Sequence, residues 1–117
     1  MIDVSKDLDE IYLEFDIDNW EQGSVPKDNM PDSYITFWEE PSFDNLNVDN
    51  RTKEIVYPFT IIYYTKEWDT LSDIFENIVS LLKSKNYIVD GMGFPIDSGI
   101  DGYKARCIEV QKIERRN

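Results

Sequence analysis

Residues 56–89, VYPFTIIYYTKEWDTLSDIFENIVSLLKSKNYIV, join a β-type segment to an amphipathic helix, and any fold of this chain must bury both. The run from Val56 to Thr65 is built from Val, Tyr, Phe, Ile and Thr, residue types that suit a pleated surface. Alternation places Tyr57, Phe59, Ile61 and Tyr63 on one face and Val56, Thr60, Ile62 and Tyr64 on the other. Both faces are bulky, so both are expected to be at least partly covered. Pro58 has no N–H to give a ladder, which favours a strand start, an edge or a bulge at that point.

The helical half is signalled from both ends. Thr70 with Asp73 forms a pattern like a capping box. Leu71, Ile74, Phe75, Ile78 and Leu82 recur at three and four residues and make one apolar stripe, widened by Val79 and Leu81. Asp69, Asp73 and Glu76 come early and Lys83 and Lys85 late, which suits the helix dipole. Asn86 is a residue type that tolerates the turn out of a helix.

The rest of the chain supplies partners for this unit. Residues 4–16 are predicted to form a first helix, with Val4, Leu8, Ile11, Tyr12 and Phe15 as its stripe and Ser5 as N-cap. Residues 21–33 hold glycine, two prolines and several turn formers and read as a connecting loop. A strand follows at 34–38, YITFW, limited by Pro41. Residues 42–54 are rich in Asn and Asp and read as a long flexible loop at a hairpin tip, carrying the apolar residues Phe43, Leu46 and Val48. Those three side chains either dock onto a neighbouring chain or fold back onto their own sheet. A short strand at 87–90, a turn-rich stretch through residue 102 and a last strand at 103–113 complete the order, with a polar frayed tail at 114–117. The expectation is one α+β domain over residues 1–117: an antiparallel sheet of mixed-length strands with two helices packed on one face.

Charge is distributed unevenly. Residues 1–50 hold fourteen acids and two lysines, a net of −12, whereas residues 51–117 hold ten of each sign. Such a balance argues against recognition of nucleic acid through phosphates, which needs a basic footprint. It fits solubility, an acidic face for a basic partner, or a surface that repels DNA. The carboxylates Asp7, Asp9, Glu10, Glu14, Asp16 and Asp18 are the candidates for such a face. No run of eighteen apolar residues exists, so no membrane partner is expected, and the acidic start MIDVSKDLDE lacks the apolar core of a secretory signal.

Little in the sequence points to catalysis or metal binding. There is no histidine, which removes histidine-based triads and the common zinc sites. The single Cys107 cannot form an internal disulfide and reads as a small core residue. Gly91-Met92-Gly93 lacks the third glycine of a phosphate loop and does not open a helix. The run Asp16-Ile17-Asp18-Asn19 faintly suggests calcium, but Glu21 stands where a calcium loop needs glycine. Trp20, Trp38 and Trp68 could stack on sugars, with core packing the simpler use. The expectation is a protein with no catalytic residues, no metal site and no cofactor.

The order of features resembles a known family. A short N-terminal helix precedes Pro31-Asp32-Ser33-Tyr34-Ile35-Thr36-Phe37, and a polar segment follows at 44–50. Then come the aromatic strand at 57–65, the helix at 71–82, Asn86-Tyr87 where the family often has Gly-Phe, and a final strand opening Gly102-Tyr103-Lys104-Ala105-Arg106. Over most of its length the chain is similar to the small tail-completion or tail-terminator (head–tail joining) proteins of long-tailed bacteriophages and prophages. The motifs are loose patterns and include no catalytic residues. The resemblance implies a structural protein that caps the finished tail tube as a ring, usually a hexamer, and forms the interface to the head connector. Its partners would be copies of itself, the tail tube protein and the connector protein. Its place would be the virion tail, and the host cytoplasm during assembly. Phe43, Leu46 and Val48 would then anchor an arm onto a neighbour, and the acidic residues would line a channel to which DNA does not stick. The alternative from another class is a monomeric acidic module that mimics DNA phosphates and inhibits a basic host protein.

Overall fold

A computed structural model describes residues 3–26, 28, 30–46 and 53–116. Among these residues the chain forms two α-helices, α1 (Val4–Phe15) and α2 (Leu71–Ser84), and seven strands. The strands are β1 (Asp18–Glu21), β2 (Ser33–Glu39), β3 (Phe43–Leu46), β4 (Lys53–Thr65), β5 (Ile88–Val89), β6 (Phe94–Ile96) and β7 (Lys104–Arg116). They form one sheet in the order β1-β2-β4-β7-β5, with β3 also paired to β4 and β6 also paired to β7. The expected α+β class with two helices on one face is what the chain adopts, but the sheet is mixed, because β1 runs parallel to β2. The two strands run parallel because the 22–32 connection between them carries the chain back before β2 begins.

Alternation along β4 divides the molecule as the sequence implied. Phe59, Ile61 and Tyr63 meet Val4, Leu8 and Ile11 of α1 and Phe75, Ile78, Val79 and Leu82 of α2 in the main core. The opposite face carries Tyr34, Ile62, Tyr64, Ala105 and Cys107. Among the described residues no helix covers that second face. Its upper half is closed by Trp20, Val25, Met30, Ile96 and Tyr103 from strand ends and loops. Tyr34 is at the centre there: its ring stacks on Tyr64 at 4.7 Å and meets Trp20 and Tyr103 edge-on at 5.9 and 5.7 Å. Such pairs contribute about 0.5–1.5 kcal/mol each beyond the area they bury. The Tyr103 hydroxyl donates to the Pro31 carbonyl (2.6 Å) and so ties the 22–32 connection to the sheet.

Pro58 occupies the middle of a long central strand without breaking it. The Glu40 amide donates to the Pro58 carbonyl (2.9 Å), so the backbone of residue 58 faces the β2 side. Its missing N–H therefore points at the gap between Glu39 and Phe43, where β2 has ended and β3 has not begun. The ladder to β7 keeps its full register from Lys53 opposite Arg116 to Thr65 opposite Lys104.

The helix ends differ from expectation in detail. Asp3, not Ser5, caps α1: its carboxylate accepts from the Lys6 amide (3.1 Å), while the Ser5 hydroxyl donates to Asn19 (2.7 Å). Asp16 closes α1 in the left-handed region (φ 57°), its N–H bonded to the Tyr12 carbonyl. The capping box at Thr70 does not form. A short 3-10 turn (Trp68–Thr70) leads into α2, and the Thr70 hydroxyl donates to the Glu67 carbonyl. Asn86 leaves α2 with φ 70° as anticipated.

Two expected loops are partly strand. Residues 43–46 of the predicted 42–54 loop pair with 53–56 across β3 and β4, and residues 114–116 of the predicted frayed tail pair with 53–55. In both places backbone pairing to the long β4 outweighs the weak strand propensity of Asp, Asn, Arg and Glu.

Candidate functional site

The long register of β4 and β7 carries three strands beyond the helical layer. Helix contacts reach Tyr57 and Val110, whereas residues 54–56 and 113–115 stand outside the main core. With β3 they form a three-stranded arm, and the molecule measures 52 × 26 × 26 Å. Phe43, Val56 and Ile113 lie side by side across the arm. Val56 in the middle is buried, whereas Phe43 and Ile113 at the two margins are 51% and 36% exposed. Of the three predicted arm anchors, Phe43 is thus an exposed aromatic, Leu46 is the last residue of β3, and Val48 lies outside the described residues.

The six acidic candidates do not present one uniform face. Asp7 accepts from the buried Tyr87 hydroxyl (2.7 Å) and lies 3.6 Å from the Lys112 ammonium, which also sits 4.7 Å over the Tyr87 ring. Burial, reinforced by the hydrogen bond to Asp7, raises the Tyr87 pKa far above that of a free phenol. Glu10 pairs with Lys85 at the end of α2. Asp9, on another side of α1, accepts from the Asn19 amide (3.0 Å). Glu14 and Asp16 are exposed, and Asp18 is half-buried at the start of β1. Asp7 and Glu10 therefore help to clamp α1 to α2 and β7, and the open carboxylates are spread between the far end of α1 and β1.

The lower half of the helix-free face holds a feature that sequence reasoning missed. A trough of about 740 Å³ is lined by Glu40, Pro58, Thr60, Ile88, Asp90, Glu109 and Gln111, together with parts of Phe59, Val89 and Val110. Glu40 is held in place by two donors, the Trp38 indole N–H (2.7 Å) and the Thr60 hydroxyl (3.2 Å). Three carboxylates line the trough and no lysine or arginine does. Among the described residues none of the three forms an ion pair. Their juxtaposition depends on the register of β2, β4, β7 and β5, which no single segment of sequence reveals.

The tryptophans serve packing for the most part. Trp20 and Trp38 are half-buried, and exposed Trp68 donates to the Gly102 carbonyl with the Lys104 ammonium 4.5 Å over its ring. Cys107 is buried on the helix-free face, where burial raises its thiol pKa. Among the described residues no group of three metal-ligating side chains converges, and no helix is long and apolar enough to cross a membrane. No protein-family model matches the chain, and no curated protein is significantly similar to it.

Proposed function

We propose that this protein is a structural assembly subunit, a ring-forming component that completes the tail of a long-tailed phage and joins it to the head connector. The observation that carries this reading is the three-stranded arm, which extends past the helices and exposes Phe43 at one margin and Ile113 at the other. The two ends of one apolar row thus lie on opposite strands of the arm. That arrangement suits a head-to-tail contact, in which one margin of each copy meets the other margin of the next and rotation closes the ring. The resemblance of the order of sequence features to that of tail-completion proteins supports the same reading.

The open carboxylates at Glu14 and Asp16 give the ring an acidic surface that DNA does not wet. The phosphate-mimic alternative draws on the same acidic half of the chain. It has less to work with, because Asp7 and Glu10 are engaged by cations of the same chain.

The arm is tested by replacing Phe43, Leu46 and Val48 together with serine and scoring assembly of infectious particles. Loss of joined particles with the variant still folded by circular dichroism is expected. Normal assembly would refute the role of the arm.

A further inference from the structure

We infer that the helix-free face is a docking surface for a polypeptide segment of another protein, one that presents a lysine or arginine between apolar side chains and seats that cation in the trough that Glu40, Asp90 and Glu109 line. The two halves of this face differ. Loops and strand ends close the upper half over Tyr34, Ile62 and Tyr64. Nothing among the described residues does the same below. Ile88 opposite Gln111 and Phe94 opposite Cys107 both project to this face by their pairing register, and both are about half exposed. Pro58 adds apolar surface at the trough itself. A patch of this kind on one face of a sheet has the composition of an interaction site.

Charge selects the occupant. Carboxylates line the trough without a cation, so covering it with an uncharged surface would strip water from Glu40 while giving it no positive partner. A lysine or arginine supplies that partner, and Glu40 is already oriented by Trp38 and Thr60, so little ordering is needed on binding. The volume of about 740 Å³ accommodates one long cationic side chain with its neighbours. A second copy of this chain also offers lysines and arginines from residues 51–117, and the test below distinguishes it from a segment of another protein. The trough adjoins the arm row on the same face of the sheet, Pro58 and Gln111 lying two residues from Val56 and Ile113, but the residues varied in the test are not those of the arm contact.

The test uses the full chain and a blocked peptide of about ten residues alternating lysine and valine, with glutamate replacing lysine in the control peptide. Binding is followed by amide chemical shifts and titration calorimetry. Two charge-matched variants are compared: Asp90→Asn with Glu109→Gln in the trough, and Asp9→Asn with Glu14→Gln on α1. All four positions are exposed, so both variants should fold. The expected result is that shifts centre on residues 88–90 and 109–111, that the trough variant binds about tenfold more weakly, and that the α1 variant changes by less than about twofold. Equal weakening by both variants, shifts centred on α1, or equal binding of the control peptide would overturn the inference. So would concentration-dependent self-association that only the trough variant suppresses, which would assign the face to a second copy.

Discussion

Replacing Tyr87 with phenylalanine isolates one hydrogen bond that ties α1 to the sheet. The Tyr87 ring is buried and packs edge-on to Phe59 at 6.2 Å, and phenylalanine preserves both features. What is lost is the donation to Asp7, a bond to a charged acceptor of the kind that contributes about 1.5–3 kcal/mol. Asp7 keeps Lys112 at 3.6 Å and some access to water, so its carboxylate is not stranded and the cost falls in the lower part of that range. The expected destabilisation is about 1.5–2 kcal/mol, or a fall in Tm of roughly 6–8 °C for a domain of this size. Urea unfolding followed by far-UV circular dichroism, at constant m, measures it. Asp7→Ala removes the bond and the ion pair together, and the double variant closes a cycle with an expected coupling of about 1 kcal/mol between residues 7 and 87. A Tyr87→Phe variant within about 0.3 kcal/mol of the parent, with additive losses in the double variant, would refute the clamp. Glu14→Gln is the contrasting case: Glu14 is exposed, so its removal should stay within about 0.5 kcal/mol.

Two further outcomes follow from buried polar groups on the helix-free face. The Thr36 hydroxyl is buried with no hydrogen-bond partner among the described residues, so Thr36→Val, which keeps the shape, should stabilise the protein by about 1 kcal/mol in the same unfolding assay. Burial, with Tyr64 and Tyr103 beside it, pushes the Tyr34 pKa up to about 12 from its ordinary 10.0. The neutral phenol is the form the fold favours, so this contribution is complete below pH 10 and is lost as pH rises toward 12. Denaturation midpoints should fall over that window, and Tyr34→Phe should flatten the fall. An equally steep fall in the variant would contradict the assignment.

Local patterns in the sequence were sufficient where one segment carries its own periodicity. The alternation of Tyr57, Phe59, Ile61 and Tyr63 and the stripe from Leu71 to Leu82 located the two faces of β4 and the buried side of α2. Elements whose stability comes from a neighbour were hidden. β3 is Phe-Asp-Asn-Leu, a turn-like composition that becomes strand because residues 53–56 of β4 present a ladder to it. β6 follows Gly91 and Gly93 and contains Pro95, yet it pairs with Arg106 and its neighbours on β7. The N-cap of α1 was displaced because Asp3 and Ser5 are both capping residues two positions apart, and Asn19 engages Ser5. Of the candidate sites, exposed Phe43 could be anticipated as an apolar residue in a polar stretch. The trough could not, because Glu40, Asp90 and Glu109 line one trough only through the register of four strands.

The most direct test of the assembly role is sedimentation velocity of the purified chain from about 1 to 500 µM at moderate salt. A ring of six 13.8 kDa chains predicts a species near 83 kDa that grows with concentration and disappears when Phe43 is replaced by serine. A chain that sediments at 13.8 kDa across the whole range would contradict a ring that closes on its own arm contacts.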